Sequence, residues 1–169
     1  LSSGNYLDLL DPKKCTFTIE DIAHGLSNVC RFAGQCAPFY SVAEHSFHVS
    51  CIVPDEHAYA GLMHDAAEAF IGDIAKPLKV LLPEYKAIEQ VMEAAIFERF
   101  DVPALGPEVK HADVVMLATE QLALMKNRDD WEYTRGKTPA DITIYAWTPA
   151  TAKAMFLERY RILRGKVQP

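Results

Sequence analysis

A histidine and an aspartate stand side by side, His64-Asp65, inside the apolar segment Leu62-Met63-His64-Asp65-Ala66-Ala67-Glu68-Ala69-Phe70-Ile71-Gly72-Asp73. No other feature limits the possible folds as much. A buried carboxylate is costly unless something neutralises it, and a divalent cation does so well. The chain must therefore pack apolar helices around a polar centre and bring more ligands to it. Two candidates flank the pair, His45 before it and Asp113 after it. Two imidazoles and two carboxylates form a borderline N/O set, suited to one divalent transition metal (Mn, Fe, Co, Ni or Zn) rather than to Ca. Taken singly, each residue has a plainer explanation. His64 and His45 could be satisfied core histidines, Asp65 and Glu68 a solvated edge, and Asp113 a cap or salt-bridge partner. The conjunction of ligand types on inward helix faces carries the metal reading.

The pattern around these residues is helical. Residues 5–17 read as an irregular or short-strand lead-in. Thr18 reads as an N-cap with Asp21 three residues on, before the apolar repeat Ile19, Ile22, Leu26 and Val29. Residues 31–40 read as a loop with Gly34 and Pro38. Ser41-Val42-Ala43-Glu44 reads as a capping box for a helix over about 42–52. His45 lies in that helix's apolar stripe with Val42, Val49 and Ile52, and His48 lies off its centre. One helix is expected from Pro54-Asp55 to Gly72, carrying the His-Asp pair, with Pro77 beyond its end. In that helix His64 and Glu68 share a face, and Asp65 projects about 100° round from His64.

Pro83 opens the next helix, with Tyr85, Ile88, Val91, Met92, Ala95 and Ile96 as its expected inner face. A helix over about 108–126 turns Val109, Ala112, Met116, Ala123 and Leu124 one way, with Asp113 and Glu120 on the same face. Acidic residues on a core stripe call for a partner. Glu120 could stand behind Asp113 or form a buried salt bridge. Residues 127–147 read as a loop or short strand pair, β-prone at Ile142-Thr143-Ile144-Tyr145. Thr148-Pro149 starts a last helix with Ala152, Met155, Phe156, Tyr160 and Leu163 inward. The expectation is an all-α bundle of about six or more helices, with irregular or β-like stretches at the N-terminus and near 130–147.

At 169 residues, 50% of them apolar, the chain can bury a real core, and residues 1–169 read as a single domain. A net charge of −6 argues against a nucleic-acid polymer as partner, but leaves room for a mononucleotide. No apolar run approaches the roughly 20 residues needed to span a membrane. No charged-then-apolar signal opens the chain, and its first residue, Leu1, reads as a trimmed start. Cys15, Cys30, Cys36 and Cys51 form no C-x-x-C and read as reduced thiols of a cytoplasmic protein.

The order His45 … His64-Asp65 … Asp113 resembles the HD-domain metal phosphohydrolases. Arg31-Phe32, Ser41-Val42-Ala43-Glu44-His45-Ser46, His64-Asp65-Ala66-Ala67-Glu68, Gly72-Asp73 and Lys76-Pro77-Leu78-Lys79 narrow the resemblance to the bacterial 5′-deoxynucleotidases. Leu26-Ser27-Asn28-Val29-Cys30-Arg31-Phe32-Ala33-Gly34 with Phe39-Tyr40-Ser41-Val42-Ala43 looks most like their prophage-encoded branch. The resemblance covers roughly residues 18–125. It implies an HD-domain bundle that hydrolyses deoxyribonucleoside 5′-monophosphates with one divalent transition metal, as a homodimer or larger homo-oligomer. It implies His45, His64, Asp65 and Asp113 as metal ligands and Glu68 as the group that directs the attacking water. It implies Arg31 on the phosphate, with Phe32 beside it where the family often has Trp, and Asp73 at the sugar. Lys79 is a further candidate for phosphate contact, as is Lys76. Two other readings stay open, a dNTP triphosphohydrolase and a nucleotide-binding module without catalysis. An alarmone hydrolase shares the ligand set. His24, His57 and His111 have no motif support.

Overall fold

Caps and helix breakers decide where the elements begin and end, and the computed structural model, which describes residues 1–167, shows how they are used. Helix α1 (Ile19–Asn28) opens on a complete capping box. The Thr18 hydroxyl accepts from the Asp21 N–H at 3.2 Å, and the Asp21 carboxylate accepts from the Thr18 N–H at 3.1 Å. The same carboxylate accepts from the Ser2 hydroxyl and the Ser3 N–H, each at 2.8 Å, so it also ties down the N-terminal lead-in.

Helix α2 (Val42–Ile52) starts differently from expectation. Ser41 caps it, its hydroxyl accepting from the Glu44 N–H at 3.2 Å. Glu44 does not return the favour. Its fully buried carboxylate accepts from the backbone N–H groups of Tyr145, Ala146 and Trp147 at 3.1, 3.0 and 2.6 Å. Only half of the expected box forms, because these amides offer Glu44 more than one N-cap donor can.

The single helix expected over 54–72 is also broken up. A 3-10 turn at Asp55–His57 leads into α3 (Ala58–Met63), then turns through residues 64–67, then α4 (Glu68–Ile71). Across the break, Ala66 bonds to the Met63 carbonyl, Glu68 to Asp65 and Phe70 to Ala67, each three residues back rather than four. That tighter winding turns successive side chains by about 120° instead of 100°. Gly72 ends α4 with φ +82°, a conformation that suits a residue without a Cβ.

Short α5 (Lys76–Lys79) precedes the long helices α6 (Pro83–Phe100) and α7 (Pro107–Leu124) and the last helix α8 (Pro149–Val167). The protein is all-α, and no strand occurs among the described residues. Helix α2 lies at the centre, against α1, α3, α7 and α8. The core around it is filled by Ile22, Leu26, Val49, Leu62, Met63, Met92, Ile96, Met116 and Phe156. Helix α1 crosses α4 so closely that a Cβ on Gly25 would lie 2.4 Å from the Ala69 carbonyl oxygen. Burial at this density supplies most of the folding free energy, at roughly 25 cal/mol per Å² of apolar surface.

Parts of the expected stripes are not core. Ile88 and Val91 are exposed, because the N-terminal half of α6 meets little more than short α5. Ala123 is exposed near the end of α7. The β-prone residues 142–145 pair with no strand. Ile142 and Ile144 pack against the core, and the amides that follow go to Glu44. No described helix is long and apolar enough to cross a membrane.

Candidate metal centre

Helix α2 carries His45 into the interior with no exposed surface. The tight turns between α3 and α4 bring His64 and Asp65 to meet it. One ligand atom from each of these residues lies within 4.8 Å of the others. Asp65 Oδ2 is 3.2 Å from His64 Nε2 and 3.6 Å from His45 Nε2. Asp113 approaches from α7, its Oδ1 at 3.2 Å from His45 Nε2 and 3.9 Å from His64 Nε2. It touches both imidazoles but stands outside the tight set of three.

Hydrogen bonds behind the histidines decide what they present. His64 Nδ1 donates to the Gly61 carbonyl at 2.8 Å, and His45 Nδ1 donates to Glu120 at 2.5 Å. Each Nε2 is then left facing inward, and both are buried without a hydrogen-bond partner. An unsatisfied buried polar atom costs about 1–3 kcal/mol. Two of them aimed at one carboxylate oxygen fit a divalent cation, and the support behind each Nδ1 is the arrangement that orients metal-binding imidazoles. The group of His45, His64 and Asp65 can hold a metal ion.

The charges respond accordingly. Burial alone would raise the Asp65 carboxyl, but the His64 and His45 imidazoles and Arg31 outweigh it and hold it below the usual range. Burial and Arg31 oppose protonation of His45, yet Glu120 and Asp113 prevail and push its pKa up to about 10. Metal binding at Nε2 competes with that proton.

Glu120 forms a buried salt bridge and does not stand behind Asp113. Its Oε1 takes the His45 Nδ1 bond, and its Oε2 accepts from Arg31 Nε and Nη2 at 3.2 and 2.9 Å. One buried carboxylate thus joins a metal-ligand candidate to the phosphate-binding candidate. Arg31 has committed one edge to Glu120. Its Nη1 faces the centre, 3.8 Å from Asp65 Oδ2. The residues after Arg31 turn sharply, with Phe32 at φ +56° and Ala33 at φ +50°. Left-handed conformations at non-glycine residues cost of order 1 kcal/mol each. The turn lets Arg31 point inward while the Phe32 ring lies 5.5 Å from its guanidinium.

Glu68 is buried, and its Oε2 has no hydrogen-bond partner. Burial, then Asp65 and Asp73, push its carboxyl well above the ordinary range. Asp73 is half-buried and also raised, first by burial, with Arg31 opposing. Lys79 stands 3.6 Å from Glu68 Oε1 and is held at 2.7 Å by Glu89. Lys76 lies over the Tyr133 ring at 4.8 Å. His48 packs within the fold, stacked on Trp147. His24 and His111 are exposed, and His57 stands near Glu108.

Reading the sequence missed Glu89, whose only signal is its place one helix turn beyond Tyr85, and the reach of Glu44 to residues 145–147. It also missed the loop after α7. There Gln121 Nε2 donates to the Asp129 carbonyl at 2.7 Å, and Gln121 Oε1 accepts from the Thr134 hydroxyl at 3.3 Å.

Among known proteins, the chain is 42% identical over 164 residues to the uncharacterized protein YfdR of Escherichia coli, covering 95% of this chain and 92% of that protein. It is 34% identical over 181 aligned positions to an uncharacterized protein of Rhodobacter capsulatus, again covering 95% of this chain and 92% of the relative. No family model matches the chain.

Proposed function

This chain belongs to the family of Escherichia coli YfdR, and from the site just described we propose that it is a metal-dependent phosphohydrolase of the HD-domain, 5′-deoxynucleotidase type. The reaction is dNMP plus water to deoxynucleoside plus phosphate. One observation carries the reading. Two buried, partnerless Nε2 atoms converge on Asp65 beside a buried, partnerless Glu68 oxygen.

His45, His64 and Asp65 would hold the ion, with Asp113 completing the set from α7. The identity of the ion lies among Mn, Fe, Co, Ni and Zn, as the N/O donor set favours. When bound, the ion would neutralise phosphate charge, acidify nearby water and offset the Asp65 charge that raises Glu68. Arg31 Nη1 grips a phosphate oxygen while Glu120 keeps the guanidinium plane fixed. Glu68 Oε2 takes a proton from the attacking water, whose oxygen bonds to phosphorus in line with the ester. The P–O5′ bond breaks, and the leaving O5′ is protonated from solvent. Asp73 reaches the sugar, accepting from its 3′-OH, and Lys79 steadies Glu68 and the phosphate side of the site. A homodimer belongs to the same reading, and the exposed Leu78, Val80, Leu81, Ile88 and Val91 offer it an apolar face.

The test is metal analysis of the purified protein, with dNMPs, NMPs and dNTPs screened under Mn, Co and Mg. Orthophosphate from dNMPs is the expected product. Tripolyphosphate from dNTPs would make the protein a triphosphohydrolase. A metal-loaded protein that turns over no nucleotide would be a binding module. Light scattering at the mass of one chain would remove the dimer.

A further inference from the structure

An aromatic pair beside Arg31 is completed from a distant part of the chain. Trp131 lies in the loop after α7, and its ring sits 6.2 Å from the Phe32 ring, tilted by 57°. Phe32 in turn lies against the Arg31 guanidinium, whose Nη1 is 3.8 Å from Asp65. The loop is anchored on both sides of this contact. Gln121, next to Glu120 on α7, holds Asp129 and Thr134, and the Thr134 N–H donates to the Trp131 carbonyl at 3.1 Å. Tyr133 reaches the other way, to Lys76 on α5. The loop thus arches from Phe32, beside the phosphate-binding arginine, to α5, just beyond Asp73. Neither Phe32 nor Trp131 is fully buried, so both rings keep surface to offer.

We propose that Trp131 and Phe32 together receive the nucleobase, making Trp131 a specificity-determining residue of the site. The inference rests on the deoxynucleotidase reading. A phosphate gripped by Arg31 leaves the rest of its ester to extend past the neighbouring aromatic rings. Their chemistry suits a planar, apolar, π-bearing group and offers little to a bare sugar phosphate. The left-handed turn at Phe32 and Ala33 is strain of the kind found at ligand clamps, since it aims one ring at a position the chain would not otherwise reach. Recognition by stacking tolerates any base, because each has a π face.

The test compares two phosphomonoesters of the same furanose ring, dAMP and 1,2-dideoxyribose 5-phosphate, in which hydrogen stands where dAMP carries its base. In Trp131→Leu, the ratio of their kcat/KM values is expected to fall about 5- to 150-fold, the range that loss of one base–aromatic stack produces. Trp131→Phe keeps a ring and is expected to retain most of the ratio. A Trp131→Leu protein that loses both substrates equally, or neither, overturns the proposal and leaves Trp131 a packing residue. Binding supplies a readout that needs no turnover. Adding dAMP to the protein is expected to quench tryptophan fluorescence, and Trp131→Phe to abolish most of that quench. A wild-type protein that quenches but hydrolyses neither ester would sink the deoxynucleotidase reading and keep the base site. An unquenched protein that hydrolyses both esters equally well would do the reverse.

Discussion

Glu68 and Glu120 are both buried carboxylates, yet their surroundings assign them opposite work. Glu120 is held down by two partners, and burial, which would raise it, loses to Arg31 and His45. Glu68 keeps an oxygen free and is pushed up. Glu68→Gln is expected to bind metal and substrate as before but to turn over about 10²- to 10⁴-fold more slowly, the usual loss when general-base help is removed. Single-turnover rates and metal content, measured on the same sample, check it. A mutant that loses the metal instead would make Glu68 a ligand. Glu120→Gln acts through others. It weakens the hydrogen bond that orients His45 and frees Arg31, so metal affinity is expected to drop about 10- to 100-fold. KM for substrate should rise with it. Unchanged metal affinity in equilibrium dialysis would show that His45 needs no such support.

At the scale of elements, two contacts hold α1 in place, one of them against α4, the helix that begins with Glu68. The first is the close crossing at Gly25. Gly25→Ala must push Ala69 and the α4 backbone away, and overpacking of this kind costs about 1–3 kcal/mol. A urea midpoint equal to wild type would mean the crossing has slack. The second is Asp21, which Ser2, Ser3 and Thr18 hold below its ordinary pKa of 3.8 although burial pulls the other way. A carboxyl depressed by folding stabilises fully above its unfolded pKa and loses that contribution as pH falls through the folded one. Asp21→Asn is therefore expected to cost about 1 kcal/mol at pH 7, typical of a lost cap. The gap to wild type should shrink below pH 4, and urea denaturation at pH 7 and pH 3 measures it. A gap that widens in acid would contradict the sign.

How much was legible follows from the range of the interactions. The caps at Thr18, Ser41 and Thr148 and the breakers Gly72, Pro83 and Pro107 act within one turn, so the sequence displays them. The ligand types declared themselves by being polar in apolar surroundings. The break at residues 64–67 did not, because its apolar pattern runs on unbroken and tertiary contacts decide the winding. Residues 127–147 stayed opaque for a similar reason. Gln121, Thr119 and Glu44 hold them, and none of these lies beside them in sequence.

For the molecule as a whole, metal and stability are linked. A ligand that binds only the folded state adds about 2.7 kcal/mol when its free concentration is a hundredfold above Kd. For a domain of this size that corresponds to roughly 5–10 °C in Tm. Treatment with a chelator is expected to lower Tm by that much, and stoichiometric Mn or Co to restore it. Superimposable melting curves would mean that the three ligands hold no ion at the concentrations used. The same long-range wiring has a consequence during synthesis. Glu44 and the amides it binds are 101 to 103 residues apart, and Arg31 and Glu120 are 89 apart. Ribosomes add about 5–20 residues per second, so several seconds pass between their emergence. Throughout that interval the nascent chain carries His45 and Arg31 without the Glu120 carboxylate that holds them both. A translation product truncated before Glu120 would lack it permanently, so the centre can close only after the chain has been made past that residue.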